Sequence, residues 1–200
     1  MKQALWLLLF GAVFIWSAIA PKDRFTWLLE VAPALIGLVL LVVTRRRFPL
    51  TPLLYGLILA HAVVLMVGGH YTYAEVPLFD GLLGSERNNY DKLGHFMQGF
   101  VPAVLAREIL LRLQVVNGRG WLALMVVSIC LAFSACYELI EWWVAAATGE
   151  GAESFLGTQG YEWDTQSDMA LALLGAVSAL LTLGRLHDRQ LRQLTAAVPR

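Results

Sequence analysis

The stretch that decides the fold is Phe48 to Ala74, FPLTPLLYGLILAHAVVLMVGGHYTYA, which contains no Asp, Glu, Lys or Arg. A helix needs about 20 mostly apolar residues to cross the ~30 Å hydrocarbon core of a bilayer, and this run is long enough. It does not alternate with a period of two, so it reads as a helix and not as a barrel strand. Working outward, the same signal returns on both sides. Ala4 to Ala20 is uncharged, and Trp27 to Thr44 carries only Glu30. Downstream, Asp91 to Arg112 is more polar and includes Pro102, Gly120 to Ala147 is interrupted only by Glu138 and Glu141, and Ser167 to Gly184 completes the set. These runs predict an all-α, polytopic transmembrane bundle of about six helices. The spans fall near 4–20, 27–44, 50–70, 91–112, 121–147 and 167–184, in a single membrane-integral domain over 1–200 with no repeat or low-complexity linker.

Composition agrees. The chain is 58% hydrophobic and 15% charged, with mean hydropathy +0.62, whereas a soluble domain carries about 25% charged residues to wet its surface. Fifteen Lys and Arg balance fifteen Asp and Glu, so no basic field points to nucleic acid. Lys2, the first apolar stretch and Ala18-Ile19-Ala20 before Pro21 also fit a signal peptide, whose removal would leave five helices. Cys130 and Cys136 stand six apart in an apolar run with no CxxC and read as small buried hydrophobes.

Charge asymmetry predicts orientation. Lys2, Arg45-Arg46-Arg47, Arg112 with Arg119, and Arg185, Arg189, Arg192 and Arg200 gather at one end. Glu75, Asp80, Glu86, Glu150, Glu153, Glu162 and Asp164 gather at the other, with Lys22 and Arg24 dissenting. Both termini are therefore expected in the cytoplasm of a bacterial inner membrane, and the two longer loops, 70–90 and 148–166, outside. Those loops carry Tyr71, Tyr73, Phe79, Phe155, Tyr161 and Trp163, aromatics suited to the headgroup level.

An ionisable residue at a helix centre costs ~2.5–3.5 kcal/mol on insertion scales and demands an account. Here the ionisable residues recur at helical spacing. Asp91 and His95 are i,i+4 with Gln98 on the same face; Ser134, Glu138 and Glu141 share a face of the fifth segment; Asp164 and Asp168 open the sixth. Glu138 lies ~27 Å beyond Gly120 at 1.5 Å per residue, which brings it to the depth of the other two pairs. Five carboxylates and one imidazole at one depth repel unless protons or a cation neutralise them. A divalent metal (Zn, Mn, Mg or Fe) on Asp91, His95, Glu138, Glu141, Asp164 and Asp168 resolves this most simply, with Glu138 and His95 the candidate catalytic groups. A hydrogen-bonded polar seam without metal is the plainer alternative. His70, Tyr71 and Tyr73, placed to roof the cluster, and Lys92 and Gln98 beside it are candidate substrate contacts. His61 reads as a core histidine, Glu30 as snorkelling to the interface, and Gly68-Gly69 as a turn or close approach. No Walker A, H-E-x-x-H, G-x-S-x-G or G-x-G-x-x-G motif occurs.

The strings Gly69-His70-Tyr71-Thr72-Tyr73-Ala74, Tyr90-Asp91-Lys92-Leu93-Gly94-His95-Phe96, Glu138-Leu139-Ile140-Glu141-Trp142 and Trp163-Asp164-Thr165-Gln166-Ser167-Asp168-Met169 resemble the YjdF-type bacterial inner-membrane proteins. That resemblance implies a fold and a location rather than a reaction. The Asp91-Lys92-x-x-His95 opening and the late Asp168 are also similar to VanZ-like proteins, which implies lipid or cell-envelope chemistry. Three functions follow as expectations: a metal-dependent hydrolase or transferase acting on a lipid or lipid-linked envelope substrate, a non-catalytic lipid- or amphiphile-binding protein, and a small cation- or proton-coupled transporter. Membrane lipids are the expected partners of each.

Overall fold

The computed structural model describes residues 3–77, 79, 88–148 and 163–196. Six helices run in chain order, α1 Gln3–Ala18, α2 Arg24–Thr44, α3 Pro52–His70, α4 Tyr90–Arg112, α5 Arg119–Thr148 and α6 Asp164–Ala196, and the described residues contain no strand. Local chemistry sets several boundaries. The Asp23 carboxylate accepts from the backbone N–H of Phe25 and Thr26 at 3.0 and 3.2 Å and caps α2. Thr51 caps α3 through Leu54 N, with Pro52 in the first turn, where its missing N–H costs nothing.

The helices enclose two cores that meet on α3. Trp6, Phe10, Val31, Ala34, Ala62 and Met66 join α1 and α2 to one side of α3. Leu54, Ala103, Val104, Leu110, Val126, Cys130, Ala176 and Ala179 join α4, α5 and α6 to the other. α1 packs as a member of the bundle, its Trp6 indole donating to the Tyr55 carbonyl at 2.8 Å and its Ser17 hydroxyl accepting from Trp27 at 3.1 Å. The outer surface is apolar: Leu181 is 80% exposed, Val43 70% and Trp121 65%, while His95, Glu108 and Asp168 are buried. This inversion of a soluble protein's surface is what a lipid solvent demands.

By length and composition α2, α3, α5 and α6 can each cross a membrane, while α1, at 16 residues, falls short of that length. α4 is long enough to cross but too polar to qualify by composition, and yet it is the most enclosed helix, with α3, α5 and α6 packed around it. Its tightest neighbour is α6. A Cβ added at Gly99 would overlap the Ala172 carbonyl, and one at Gly175 the Phe96 carbonyl, so the two backbones interlock at small residues.

α6 runs on past the expected end at Gly184 to Ala196, because its last turns also pack. His187 is 1% exposed. Its Nδ1 accepts from Arg107 and its Nε2 donates to Glu108, both at 3.0 Å. Glu108, fully buried, also accepts from Thr51 N at 3.1 Å, Thr51 Oγ1 at 2.8 Å and Arg112 at 3.0 Å. This network clasps α3, α4 and α6 at the basic end. Cys130 is buried as expected, but Cys136 is exposed on the bundle surface, and both are free thiols. Of the charges that define the acidic end, Asp80, Glu86, Glu150, Glu153 and Glu162 lie outside the described residues, as do Phe155, Tyr161 and, at the basic end, Lys2 and Arg200. Lys22, the dissenting base, pairs with Glu75 at 2.5 Å on the surface.

Candidate functional site

The α4–α6 interlock places the site. His95 lies one turn before Gly99 on α4 and Asp168 one turn before Ala172 on α6, so the contact that brings these backbones together also brings His95 Nε2 to 3.7 Å from the Asp168 carboxylate. Asp91, one turn earlier on α4, reaches the same nitrogen at 3.3 Å. One donor atom from each of Asp91, His95 and Asp168 lies within 4.8 Å of the others. The opposite ring nitrogen, Nδ1, meets Gln98 Oε1 at 3.1 Å and Glu138 Oε1 at 3.8 Å. An amide oxygen only accepts, so Nδ1 carries the hydrogen and Nε2 faces the two aspartates.

These groups open on a cavity of about 340 Å³. All six predicted metal ligands line it: Asp91, His95, Glu138, Glu141, Asp164 and Asp168. The compact donor triad, however, is Asp91, His95 and Asp168. Glu138 approaches the other edge of the imidazole, and Glu141 and Asp164 line the cavity outside the triad. Glu138 Oε1 and Asp168 Oδ1 are buried and have no hydrogen-bond partner among the described residues.

Of the predicted substrate contacts, Gln98 lines the cavity, whereas His70, Tyr71 and Lys92 do not. His70 turns away, its Nδ1 donating to the Ser17 carbonyl at 3.0 Å and its ring stacking 4.7 Å from Trp16, with Tyr71 edge-on against it. Of the three residues expected to roof the cluster, Tyr73 is the one that enters the cavity. Thr72 and Tyr73 both take left-handed backbone angles, φ 57° and 56°, and fold the chain back so that the Tyr73 ring lies where side chains at Gly68 and Gly94 would otherwise stand. The close approach expected at Gly68-Gly69 is to this ring at Gly68 and to Glu30 and Trp27 of α2 at Gly69.

Glu30 corrects a second expectation. It is 5% exposed rather than snorkelling, and it accepts a hydrogen bond from the Tyr137 hydroxyl at 3.0 Å inside the same cavity. The Tyr137 ring meets His95 edge-on at 6.4 Å. An acid in an otherwise uncharged span was the sequence signal for Glu30; its partner on α5 carried no signal. His61, Pro33 and Pro102 line the deeper end.

Fold and site together define a multi-pass helical membrane protein with one buried acid–imidazole cavity. The chain belongs to the family described as predicted membrane protein (DUF2238), whose model matches residues 2–189. It is similar to the inner membrane protein YjdF of Escherichia coli strain K12, 57% identical over 184 residues that cover 90% of this chain and 88% of that protein. No solved structure matches it. The family and the apolar helices agree on a multi-pass protein of the inner membrane.

Proposed function

We propose that Asp91, His95 Nε2 and Asp168 hold one divalent cation (Zn, Mn, Mg or Fe) and that the site serves a metal-dependent hydrolase or transferase acting on a lipid or lipid-linked envelope substrate. The observation that carries this reading is the Nε2 edge of His95. Two carboxylates face it at 3.3 and 3.7 Å, an arrangement that needs positive charge between them. The one proton Nε2 can carry would bond only one of them closely, at the ~2.7–2.9 Å of a charged hydrogen bond. Donors around a tetrahedral ion, each about 2.0–2.1 Å from it, stand about 3.3 Å apart. The Nδ1–H on Gln98 Oε1 is the outer contact that metal-bound histidines almost always make.

A cation there supplies a Lewis acid for a phosphoryl or carbonyl oxygen. His95 orients the site, Gln98 fixes its tautomer, and Glu138, with one oxygen unengaged, is placed to take a proton as general base. Among the described residues Cys136 is the one thiol on the cavity wall, and it is exposed on the bundle surface, which favours water as the attacking group. The acidic end is read as periplasmic and both termini as cytoplasmic from the arginine clusters.

The test is elemental analysis of the purified protein beside His95→Ala and Asp168→Asn. Near-stoichiometric Zn, Mn or Fe in the parent, restored after chelation and lost from both variants while they remain folded, supports the reading; Mg is checked by equilibrium binding. A folded parent that binds none of the four metals removes it. In that case the acids and imidazole neutralise one another by protons, and the non-catalytic amphiphile-binding function takes its place.

A further inference from the structure

A second cavity of about 480 Å³, almost wholly apolar, continues from the first. The two share Pro33, His61, Leu65 and Pro102 as lining, so the floor of the polar chamber is the head of the apolar groove. The groove exists because α2 and α4 both pack on α3 but scarcely on each other, at the seam between the two cores.

The helix faces that line it are each polar at one end and apolar at the other. On α4, Asp91, His95 and Gln98 are followed on the same face by Pro102, Leu105 and Ile109; on α2, Glu30 is followed by Pro33, Ala34 and Gly37. From Pro102 to Leu113 the groove runs roughly 16 Å, about half the ~30 Å hydrocarbon core. Its rim is open to lipid at Leu40, Ile109 and Leu113, which are 57%, 36% and 60% exposed. Among the described residues, six carboxylates and no Lys or Arg line the polar chamber. Three of them exceed what the triad and His95 engage, namely Glu30, Glu141 and Asp164.

We propose that the chamber and groove form one binding site for a single-tailed amphiphile with an amine-bearing head. The ammonium sits among the carboxylates outside the triad, with Glu30 nearest the junction, and the alkyl chain enters sideways between α2 and α4 and lies along the groove. This deepens the reading given above by naming the substrate class, and it rests on that reading only in taking the chamber as a ligand site. Anionic heads are disfavoured because no Lys or Arg among the described residues lines the chamber to meet them.

Gly37 supplies the test. It lines the groove, and a Cβ added there meets nothing within 4 Å, so Gly37→Leu is expected to extend into the tail channel without disturbing the bundle. The protein in lipid nanodiscs is irradiated with an alkylamine carrying a terminal diazirine and, separately, with an alkyl sulfate of equal length; crosslinks are mapped by peptide mass spectrometry. The amine probe is expected to label Leu105, Ile109 or Leu113 and to be displaced by excess dodecylamine. Excluding about two methylenes at ~0.8 kcal/mol each makes the groove labelling about tenfold weaker in Gly37→Leu. Gly37→Ala retains it. Labelling of the lipid-facing Leu174 and Leu181 on α6 stays unchanged throughout and reports folding. Groove labelling that is equal with the sulfate probe, or undiminished in Gly37→Leu, overturns the proposal. Metal analysis of the same samples separates the two readings: groove labelling as expected without metal sinks the cation and supports the amphiphile, and metal without groove labelling does the reverse.

Discussion

At the scale of single residues, the two ends of α4 show two ways of keeping charge inside a membrane protein. At the basic end, Glu108 is fully satisfied by Thr51, Arg112 and His187. Removing one partner of such a buried group leaves the others uncompensated, at a cost of about 3–5 kcal/mol. Glu108→Ala is therefore expected to lower the unfolding midpoint of the protein in detergent well below that of the parent, and Glu108→Gln, which still accepts from Thr51, by less. At the other end the arrangement is unfinished: Glu138 and Asp168 each keep an oxygen without a partner. Incomplete satisfaction at one end only is why that end is the one proposed for chemistry. Gln98→Ala, which removes the acceptor from His95 Nδ1, is expected to weaken metal affinity about 10–100-fold with little change in stability. Equilibrium metal binding beside a thermal scan checks both parts.

Elements decide how those residues meet. The α4–α6 interlock at Gly99, Ala172 and Gly175 allows no added side chain, since the atoms in the way are backbone. Gly99→Leu is expected to destabilise by at least the ~1–3 kcal/mol of ordinary overpacking. It should also lose metal, because it parts His95 from Asp168. Gly37→Leu, facing open space, should do neither, and the pair is compared by thermal unfolding and elemental analysis. At this scale the sequence was legible wherever one helix sufficed. The i,i+4 spacing of Asp91 and His95 and the apolar run of α3 both read directly, and the depth argument for Glu138 led to the same cavity. It was not legible where a second helix decides. Glu30 stands one turn inside α2, where snorkelling and burial look alike until Tyr137 of α5 is set against it. Tyr73 reaches the cavity through two consecutive left-handed residues without a glycine, a conformation that composition does not announce. His70 and Tyr71, three and two residues earlier, point elsewhere for the same reason. The last turns of α6 were lost because their charges resemble the end of a span, when His187 and Arg107 bury them against α4.

For the whole molecule, the seam between the two cores gathers every feature with chemical consequence: polar chamber, apolar groove and the prolines between them. Orientation gives this seam its direction. Reporter fusions at Met1 and Arg200 are both expected to read as cytoplasmic, which sets the chamber toward the periplasm. A periplasmic signal from either terminus would overturn that orientation.

The enclosure of α4 by its neighbours bears also on how the protein is made. A segment carrying Asp91, His95, Arg107, Glu108 and Arg112 partitions poorly into lipid as a lone helix, and α6, the helix with which it interlocks, leaves the ribosome only after α5. During synthesis α4 must wait, sheltered by the translocon or by α3, until Gly175 arrives to close the joint. A nascent chain stopped before Asp164 therefore holds every ligand of the centre except those on α6, yet lacks the surface that makes α4 a resident of the bilayer.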